Sequence, residues 1–235
     1  MLAPTEDMKP SPMRDGAYSA IIASTPVDRE NAFKVRYSVY IQEQAKAYSA
    51  ADHERKQLTD DLDATAAIIL VADTKGPCGT VRANWAHSPD VKATYAHQFE
   101  LSRFEQIHPR SISICSRLAV LRRCRGSRVG RMLFAEIYKY GLQNDTILCF
   151  AACAPALKPL FARYGFREYL PPHHDLAAGL LHRMVLVLDD IDYLEKIHSP
   201  FVVIAKELAV VGYARLWLNE IFAGNTHTGG AEETR

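Results

Sequence analysis

A stretch rich in arginine and glycine is the most chemically suggestive part of this 235-residue sequence. An apolar run ending at Leu121 leads into residues 122–130, and apolar residues at helical spacing begin again at Val129. Five arginines lie between positions 122 and 131. A strand, a glycine-containing loop and a helix N-terminus together form an anion site, because the first N–H groups of a helix are unpaired and its dipole is positive there. The pattern predicts a site for a phosphate-bearing cofactor.

Residues 125–130, Arg-Gly-Ser-Arg-Val-Gly, differ from two common phosphate loops. A Walker loop ends in Gly-Lys-Ser or Gly-Lys-Thr, and a dinucleotide fingerprint has three spaced glycines. The stretch resembles instead the pyrophosphate loop of the GNAT superfamily of N-acyltransferases, with Arg128 in place of the usual glycine. A basic surface loop without a ligand is the alternative. The resemblance implies that an acyl thioester is held by this loop and the strand before it, through Leu118, Val120, Arg125, Gly126, Arg128, Val129 and Gly130.

The elements that must position this loop are strands and helices in a mixed order. Apolar runs predict strands at residues 18–23, 66–72, 79–85, 116–121, 147–153, 165–170 and 183–188. Thr25 and Pro26 predict a helix start, and further helices are expected at residues 129 to about 142, in a short segment ending at Arg163, at 189–197 and at 199–222. This order predicts an α/β fold of the GNAT type, a mostly antiparallel mixed sheet with helices on both faces.

The domain organisation predicted from this order has four parts. Flexible tails are expected at residues 1–17 and 223–235, a GNAT-like domain at 18–198 and an apolar C-terminal helix at 199–222. Charged residues such as Lys206 and Arg215 interrupt that helix, which argues against a membrane span. The helix has to bury two sides against its own domain, a second subunit or a membrane.

Five landmarks in order resemble those of the acyl-homoserine-lactone synthases and the N-acyl amino acid synthases. The resemblance spans about residues 26–200. It implies that a fatty acyl group moves from a phosphopantetheine thioester, on acyl carrier protein or coenzyme A, to the amine of an amino acid or similar small amine. The landmarks are Arg36 and Tyr40 followed by Glu43; Asp60 and Asp63; Gly79 to Arg82; Ser116 to Val120; and Gly165 with Phe166.

Roles for these residues follow from the chemistry of amine attack on a thioester. The amine must lose a proton, so the carboxylates of Glu43, Asp60 and Asp63 are expected to orient it or to relay its proton through water. Backbone N–H groups near Val120 are expected to stabilise the oxyanion. The acceptor's carboxylate is expected to bind arginine, with Arg36, Arg82 and Arg117 as candidates and Tyr40 beside them. The alternative is a solvated acidic loop with surface arginines.

Two positions depart from the family pattern. Ile114 stands where the lactone synthases usually have a glutamate, which favours N-acyl amino acid synthesis over lactone formation. Glu100 and Arg103 resemble the family's Glu-x-x-Arg motif, but they lie too far before residues 125–130, which we call the cofactor loop. Phe161 stands where many N-acyltransferases have a tyrosine that protonates the leaving thiolate, although a thiol is acidic enough to leave with little help.

Three alternative functions remain open at this stage: a lactone synthase, a short-chain N-acetyltransferase and a non-catalytic module that binds acyl thioesters. The long loop at residues 48–59 and the apolar final helix disfavour the acetyltransferase, because an acetyl group needs no long apolar tunnel. The basic loop also suggests a docking site for acidic acyl carrier protein, through Arg110, Arg122, Arg123 and Arg131.

Composition limits the other classes. The formal charge of +1 argues against nucleic acid as the main partner. The five cysteines are an odd number without a Cys-x-x-Cys pair, so neither a disulfide framework nor a metal site is expected, and a reducing, cytoplasmic setting is predicted. Residues 1–17 lack the apolar core of a signal peptide. Cys115 and Cys153 are expected to be buried thiols, with a covalent acyl-enzyme as the alternative.

Overall fold

A computed structural model of the chain describes residues 13–15, 17–209 and 221–222. The helices are α1 Pro26–Tyr37, α2 Pro89–Tyr95, α3 Val129–Gln143, α4 Lys158–Arg163, α5 Ile191–Lys196 and α6 Val202–Leu208. The strands are β1 Met13–Asp15, β2 Tyr18–Ile22, β3 Ala51–Asp52, β4 Gln57–Leu58, β5 Ala67–Asp73, β6 Gly76–Trp85, β7 Ile112–Val120, β8 Leu148–Cys153, β9 Arg167–Asp175 and β10 Gly179–Val187.

Eight of these strands form one sheet in the order β1-β2-β5-β6-β7-β8-β10-β9. Neighbouring strands run antiparallel except for β7 and β8, which are parallel. The remaining pair, β3 and β4, forms a small hairpin within the predicted long loop. The mixed, mostly antiparallel sheet of the sequence prediction is confirmed.

Helices cover both faces of the sheet because residues of β5 alternate between two apolar cores. On one face, Ile69 and Val81 pack against α3. On the other face, Ile68 and Leu70 pack against α1. Gly79 of β6 allows a close approach, since a Cβ there would lie 2.9 Å from Val129 Cγ1. That glycine lets the start of α3 sit directly on the sheet.

The predicted start of α1 is confirmed. Thr25 accepts a hydrogen bond from the backbone N–H of Asp28 at 3.1 Å, and Pro26 occupies the first turn. The chain then continues as a π-helix over Ser38–Glu43. A π-helical turn widens the helix and changes the direction of the side chains that follow it, so Tyr40 and Glu43 point differently from residues of a regular helix.

Strands β7 and β8 separate partway along their length, and this is the feature that creates the site. Their ladder joins Ile112–Cys115 to Leu148–Ala151, and no pair follows in the described residues. On its other side β7 has a register shift against β6, next to Arg117, whose φ is 56°. A bulge of this kind bends a strand and redirects a side chain. We call the opening between the two strands the β7–β8 split.

Several predicted boundaries differ from the structure. Helix α2, Pro89–Tyr95, lies in a stretch for which no helix was predicted. Strand β9 continues through Pro171 and Pro172 to Asp175, where a stop was expected, because β9 is an edge strand with a bulge at the prolines. Strand β10 begins at Gly179, earlier than the predicted residue 183.

The C-terminal helix is shorter than predicted. Helix α6 ends at Leu208, and Ala209 has extended backbone angles, so a single helix over residues 199–222 is wrong. Ser199 accepts a hydrogen bond from the N–H of Phe201 at 3.2 Å, but α6 starts only at Val202 and its N-cap residue, Phe201, makes no side-chain capping bond. Residues 210–220, and most of both predicted tails, lie outside the described residues, although Met13–Asp15 forms β1 and so departs from the predicted tail. None of the described helices is long and apolar enough to cross a membrane.

Candidate active site

Arginines and aspartates from four separate segments form one buried ionic group beside the sheet. Arg36 of α1 bonds Asp63 Oδ1 from Nη1 at 2.7 Å. Arg82 of β6 bonds the same oxygen at 3.0 Å and also pairs with Asp60 Oδ1. Asp63 Oδ2 accepts from the backbone N–H of Asp60 at 3.0 Å. We call Arg36, Asp60, Asp63, Arg82 and Arg117 the ionic cluster.

Arg117 joins the ionic cluster from β7. Its Nη2 lies 2.6 Å from Asp60 Oδ2, and its guanidinium lies 4.7 Å from the centroid of the Tyr48 ring. The positive φ of Arg117 at the bulge turns the side chain toward Asp60. The structure therefore places Arg117 beside the two aspartates together with Arg36 and Arg82, while Arg103 pairs with Glu100 elsewhere.

The charges of the ionic cluster keep Asp60 ionised. Burial opposes ionisation of this carboxyl, but the charges and hydrogen bonds of Arg82 and Arg117 outweigh burial and lower the pKa of Asp60. Burial likewise opposes the charge of Arg82, yet Tyr95, Asp63 and Asp60 raise its pKa. A carboxylate with a lowered pKa is a weak base at neutral pH, so Asp60 is suited to orient an amine and to attract its positive charge.

Members of the ionic cluster differ in their access to the cavity. Arg36 and Arg82 are completely buried and face the two aspartates, and both carboxylate oxygens of Asp63 are occupied by protein donors. Asp60 and Arg117 line a cavity of about 1700 Å³, whereas Arg36, Asp63 and Arg82 do not. These three residues are therefore placed to hold Asp60 and Arg117 and not to contact a substrate.

Glu43, predicted beside the aspartates, lies at the cofactor loop instead. Its carboxylate pairs with Arg125 and accepts from the backbone N–H of Arg122 at 3.2 Å. Arg125 Nε in turn donates to the carbonyl of Val120 at 3.1 Å. The π-helix thus ties the loop to the end of β7, and Glu43 has the position of a loop anchor.

The cofactor loop presents open backbone toward solvent. Gly126 has a φ of +75°, and added Cβ atoms at Gly126 or Gly130 would meet nothing within 4 Å. Ser127 accepts a hydrogen bond from the N–H of Val129 at 3.3 Å. The N-cap residue of α3, Arg128, makes no side-chain capping bond. Arg128 is exposed at that N-terminus. This arrangement fits the predicted anion site.

The carbonyl groups near the end of β7 already accept bonds from side chains. The hydroxyl of Tyr40 donates to the carbonyl of Leu118 at 2.7 Å, and burial raises the pKa of Tyr40 to about 12. Tyr40 is therefore a neutral donor throughout the physiological range. A pantetheine arm that contacts Leu118 and Val120 as predicted must either displace these two side-chain bonds or bind backbone N–H groups instead of the carbonyls.

One cavity of about 1700 Å³ connects the loop, the β7–β8 split and both faces of the sheet. On the α3 face its walls are apolar, and we call this part the apolar lobe: Phe134, Tyr138, Cys149, Phe161, Tyr164, Leu186 and Phe201. On the α1 face, beside Asp60, the walls carry polar groups, and we call this part the polar lobe: Lys46, Tyr48, Asp60, Tyr95, Gln98, Arg117 and Asp175.

Sequence reasoning missed most of the polar lobe. Tyr95 belongs to α2, whose Ser88-Pro89 start repeats the signal that predicted α1. Asp175 comes from the end of β9, beyond the prolines that were expected to stop it. Ile114 and Phe161, the departures from the family pattern, are both buried cavity residues. Tyr164 stacks on Phe134 with ring centroids 4.2 Å apart.

The split sheet, the loop at the start of α3 and the connected cavity define an acyltransferase of the GNAT fold. A sequence model of the N-acyl amino acid synthase FeeM family matches residues 31–184. The chain belongs to that family. No curated protein sequence matches it significantly.

Solved structures show the same fold at low sequence identity. FeeM, an N-acyl amino acid synthase from uncultured soil microbes, is 14% identical with a TM-score of 0.59, over 83% of this chain and 99% of that chain. BjaI, a CoA-dependent acyl-homoserine lactone synthase, is 16% identical with a TM-score of 0.59, over 77% and 89%. The AHL synthase LasI is 16% identical with a TM-score of 0.58, over 73% and 90%.

Proposed function

We propose that this acyltransferase moves a medium- or long-chain fatty acyl group from a phosphopantetheine thioester to the amine of an amino acid or similar small amine. The observation that carries the proposal is the single cavity that joins the loop, the β7–β8 split, the polar lobe and the apolar lobe. An apolar lobe of this extent accommodates an acyl chain, and a polar lobe beside Asp60 accommodates a charged acceptor.

The donor end of the reaction uses the loop and the split. Phosphate groups would bind the open backbone of Gly126 to Gly130 and the N-terminus of α3, with Arg125 and Arg128 supplying positive charge. The pantetheine arm would enter the split along Leu118 and Val120. Backbone N–H groups near Val120 would receive the oxyanion.

The acceptor end uses the two members of the ionic cluster that line the cavity. Arg117 would bind the acceptor's carboxylate, while ionised Asp60 would orient its amine. The amine gives a proton to water and attacks the thioester carbon, so that a C–N bond forms and the C–S bond breaks. The thiolate leaves and takes a proton from solvent, which needs little help at neutral pH. Arg36, Asp63 and Arg82 would hold Asp60 and Arg117 in place.

The donor itself is proposed to be acyl carrier protein, with acyl coenzyme A as the second candidate. Arg122, Arg123, Arg128 and Arg131 are exposed around the loop, with Arg123 paired to Asp73. Arg110, by contrast, precedes β7 and lies at the opposite end of that strand from the loop, so its predicted place in the docking site is wrong. A basic rim of this kind favours association with an acidic carrier domain. Arg128 in place of glycine is easier to accommodate when a pantetheine arm alone enters the split. We place the reaction in the cytoplasm, where both donors are made.

The test is product formation from defined pairs of donor and acceptor. The purified chain would be incubated with acetyl to palmitoyl thioesters of carrier protein or coenzyme A and with the amino acids, and products would be identified by mass spectrometry. We expect N-acyl amino acids with chains longer than acetyl. Arg117→Met should lower the yield at least tenfold, while Arg103→Met, an arginine outside the cavity, serves as the matched control.

Other outcomes of this experiment would contradict the proposal. Transfer of acetyl alone would indicate a short-chain N-acetyltransferase. A lactone formed from an added S-adenosylmethionine acceptor would indicate the lactone synthase branch. Binding of the thioesters without product under any pairing would indicate a non-catalytic binding module.

A further inference from the structure

Two cysteines meet inside the cavity where β7 and β8 begin to separate. Cys115 of β7 and Cys149 of β8 project from the same face, and their Sγ atoms lie 3.1 Å apart. Both are free thiols and both line the cavity. Cys149 is buried, and Cys115 is partly exposed, so a small molecule that enters the cavity can reach the pair.

The environment of Cys149 differs from that of Cys78 and Cys153. A thiolate at Cys149 accepts hydrogen bonds from Cys115 and Ser113, and these lower the pKa of Cys149 although burial opposes the charge. By contrast, burial raises the pKa of Cys78 to about 12 and that of Cys153 to about 11. Oxidants react with the thiolate rather than the thiol, which makes Cys149 the favoured point of attack.

We propose that Cys115 and Cys149 form a modification site at which a hydroperoxide makes a disulfide that closes the β7–β8 split. The Cys149 thiolate attacks the terminal peroxide oxygen, the O–O bond breaks, and a sulfenic acid forms as hydroxide or alkoxide leaves and is protonated. Cys115 then attacks the sulfenic sulfur, so that the S–S bond forms and water is released. The two thiols lose two electrons and two protons, and the peroxide is reduced to water or to water and an alcohol.

The closure follows from the change in distance. A disulfide holds its sulfur atoms about 2.05 Å apart, roughly 1 Å closer than they are now. Cys115 is in the last joined pair of β7 and β8, opposite Ala151, and Cys149 is opposite Ser113 two residues earlier, so the bond draws the strands together diagonally just before the cavity passes between them. A narrowed split would exclude the pantetheine arm. This consequence for binding rests on the proposed function, whereas formation of the disulfide does not.

The experiment treats the purified full-length protein with hydrogen peroxide and maps its peptides by mass spectrometry without reduction. We expect a peptide linked through Cys115 and Cys149, loss of two titratable thiols, and reversal by dithiothreitol. Affinity for a non-transferable acyl thioester analogue, carried on acyl carrier protein or on coenzyme A and measured by calorimetry, should fall about tenfold or more on oxidation and recover on reduction. Cys149→Ala should abolish both effects.

Matched cysteines provide the control. Cys78 and Cys124 also lie close together, with ligand atoms within 4.8 Å, so Cys78→Ala should leave the Cys115–Cys149 linkage unchanged. A linkage between Cys78 and Cys124 alone, or oxidation of Cys149 beyond sulfenic acid without linkage, would overturn the proposal. Linkage without weaker binding would overturn the closure. Failure of the analogue to bind the reduced protein would count against the proposed function instead, since the linkage is read independently.

Discussion

The two ends of the cavity are both built from arginine and carboxylate pairs, but they differ in burial and connectivity. In the ionic cluster the side chains of Arg36, Asp63 and Arg82 are 0%, 7% and 1% exposed, and each contacts another member. At the loop, the side chains of Arg125 and Glu43 are 47% and 25% exposed. The comparison indicates a fixed ionic cluster at the proposed acceptor end and an adjustable loop at the proposed donor end.

The difference has an energetic basis. Buried ion pairs lose much of their Coulombic gain to desolvation, but removal of one partner leaves an uncompensated charge in the interior. Exposed pairs gain little and lose little, because water and salt screen them. The ionic cluster should therefore tolerate almost no change, whereas the loop should tolerate substitution and respond mainly in its ligand affinity.

Replacement of Asp63 by asparagine should have the largest effect. Asp63 supplies the one hydrogen-bond acceptor that Arg36 has within the described residues. Asp63→Asn leaves the Arg36 charge uncompensated and should lower the free energy of unfolding by about 3–5 kcal/mol. Urea titration measures this loss. Turnover should fall far more than thioester affinity, because the donor end is not changed.

The control for this variant is an exposed pair. On the surface, Asp52 Oδ2 lies 4.0 Å from Arg55 Nε, so Asp52→Asn should change the free energy of unfolding by less than about 1 kcal/mol. Equal losses for the two variants would remove the contrast between a fixed cluster and an adjustable loop.

The family resemblance pointed to every member of the ionic cluster, but it also placed Glu43 with them and did not separate the roles of the three arginines. Arg36, Arg82 and Arg117 look alike in the sequence, and all three were expected to bind substrate. Their directions depend on strand alternation and on the bulge at Arg117, which arises from long-range pairing of β6 with β7. A bulge carries no reliable local signal, so only the structure separates Arg117 from the two buried arginines.

The loss of folding stability at acidic pH should also test the contrast between the ionic cluster and the exposed loop. The lowered pKa of Asp60 means that its ionised form stabilises the fold above the ordinary value of about 3.8, and that this contribution is lost as the pH falls through the lowered pKa. Unfolding at several pH values should show a decline below about pH 4 that is smaller in Asp60→Asn. The exposed Glu54→Gln is the control, and an unchanged pH profile in Asp60→Asn would contradict the assignment.

The cofactor loop and the polar lobe differ in how far apart their residues lie in the sequence, and this difference explains why only the first was predicted closely. The cofactor loop and α3 follow from glycine, arginine and apolar spacing within 20 residues, so their prediction was close to the structure. The polar lobe takes Tyr48, Tyr95 and Asp175 from three distant segments. Local periodicity contains no information on which distant loops meet, and an edge strand that accepts two prolines overrides the usual stop signal.

Substitution of Glu43 should have the smallest effect on stability and a selective effect on the donor. Its carboxylate holds Arg125 and the N–H of Arg122, and the Arg125 side chain bonds the end of β7. Glu43→Gln should change the free energy of unfolding by less than about 1 kcal/mol, since the pair is largely exposed. The released loop should bind phosphate less well, so the KM for the thioester should rise several-fold.

The readout that distinguishes an anchor from an amine base at Glu43 is the separation of kcat from KM. An anchor changes the thioester KM and leaves the acceptor KM and kcat close to their original values. A base would lower kcat by about a hundredfold or more at neutral pH. Glu30→Gln is the matched control, because Glu30 pairs with Lys34 on the exposed side of α1 away from the loop. A fall in kcat without a change in thioester KM would return Glu43 to the acceptor end.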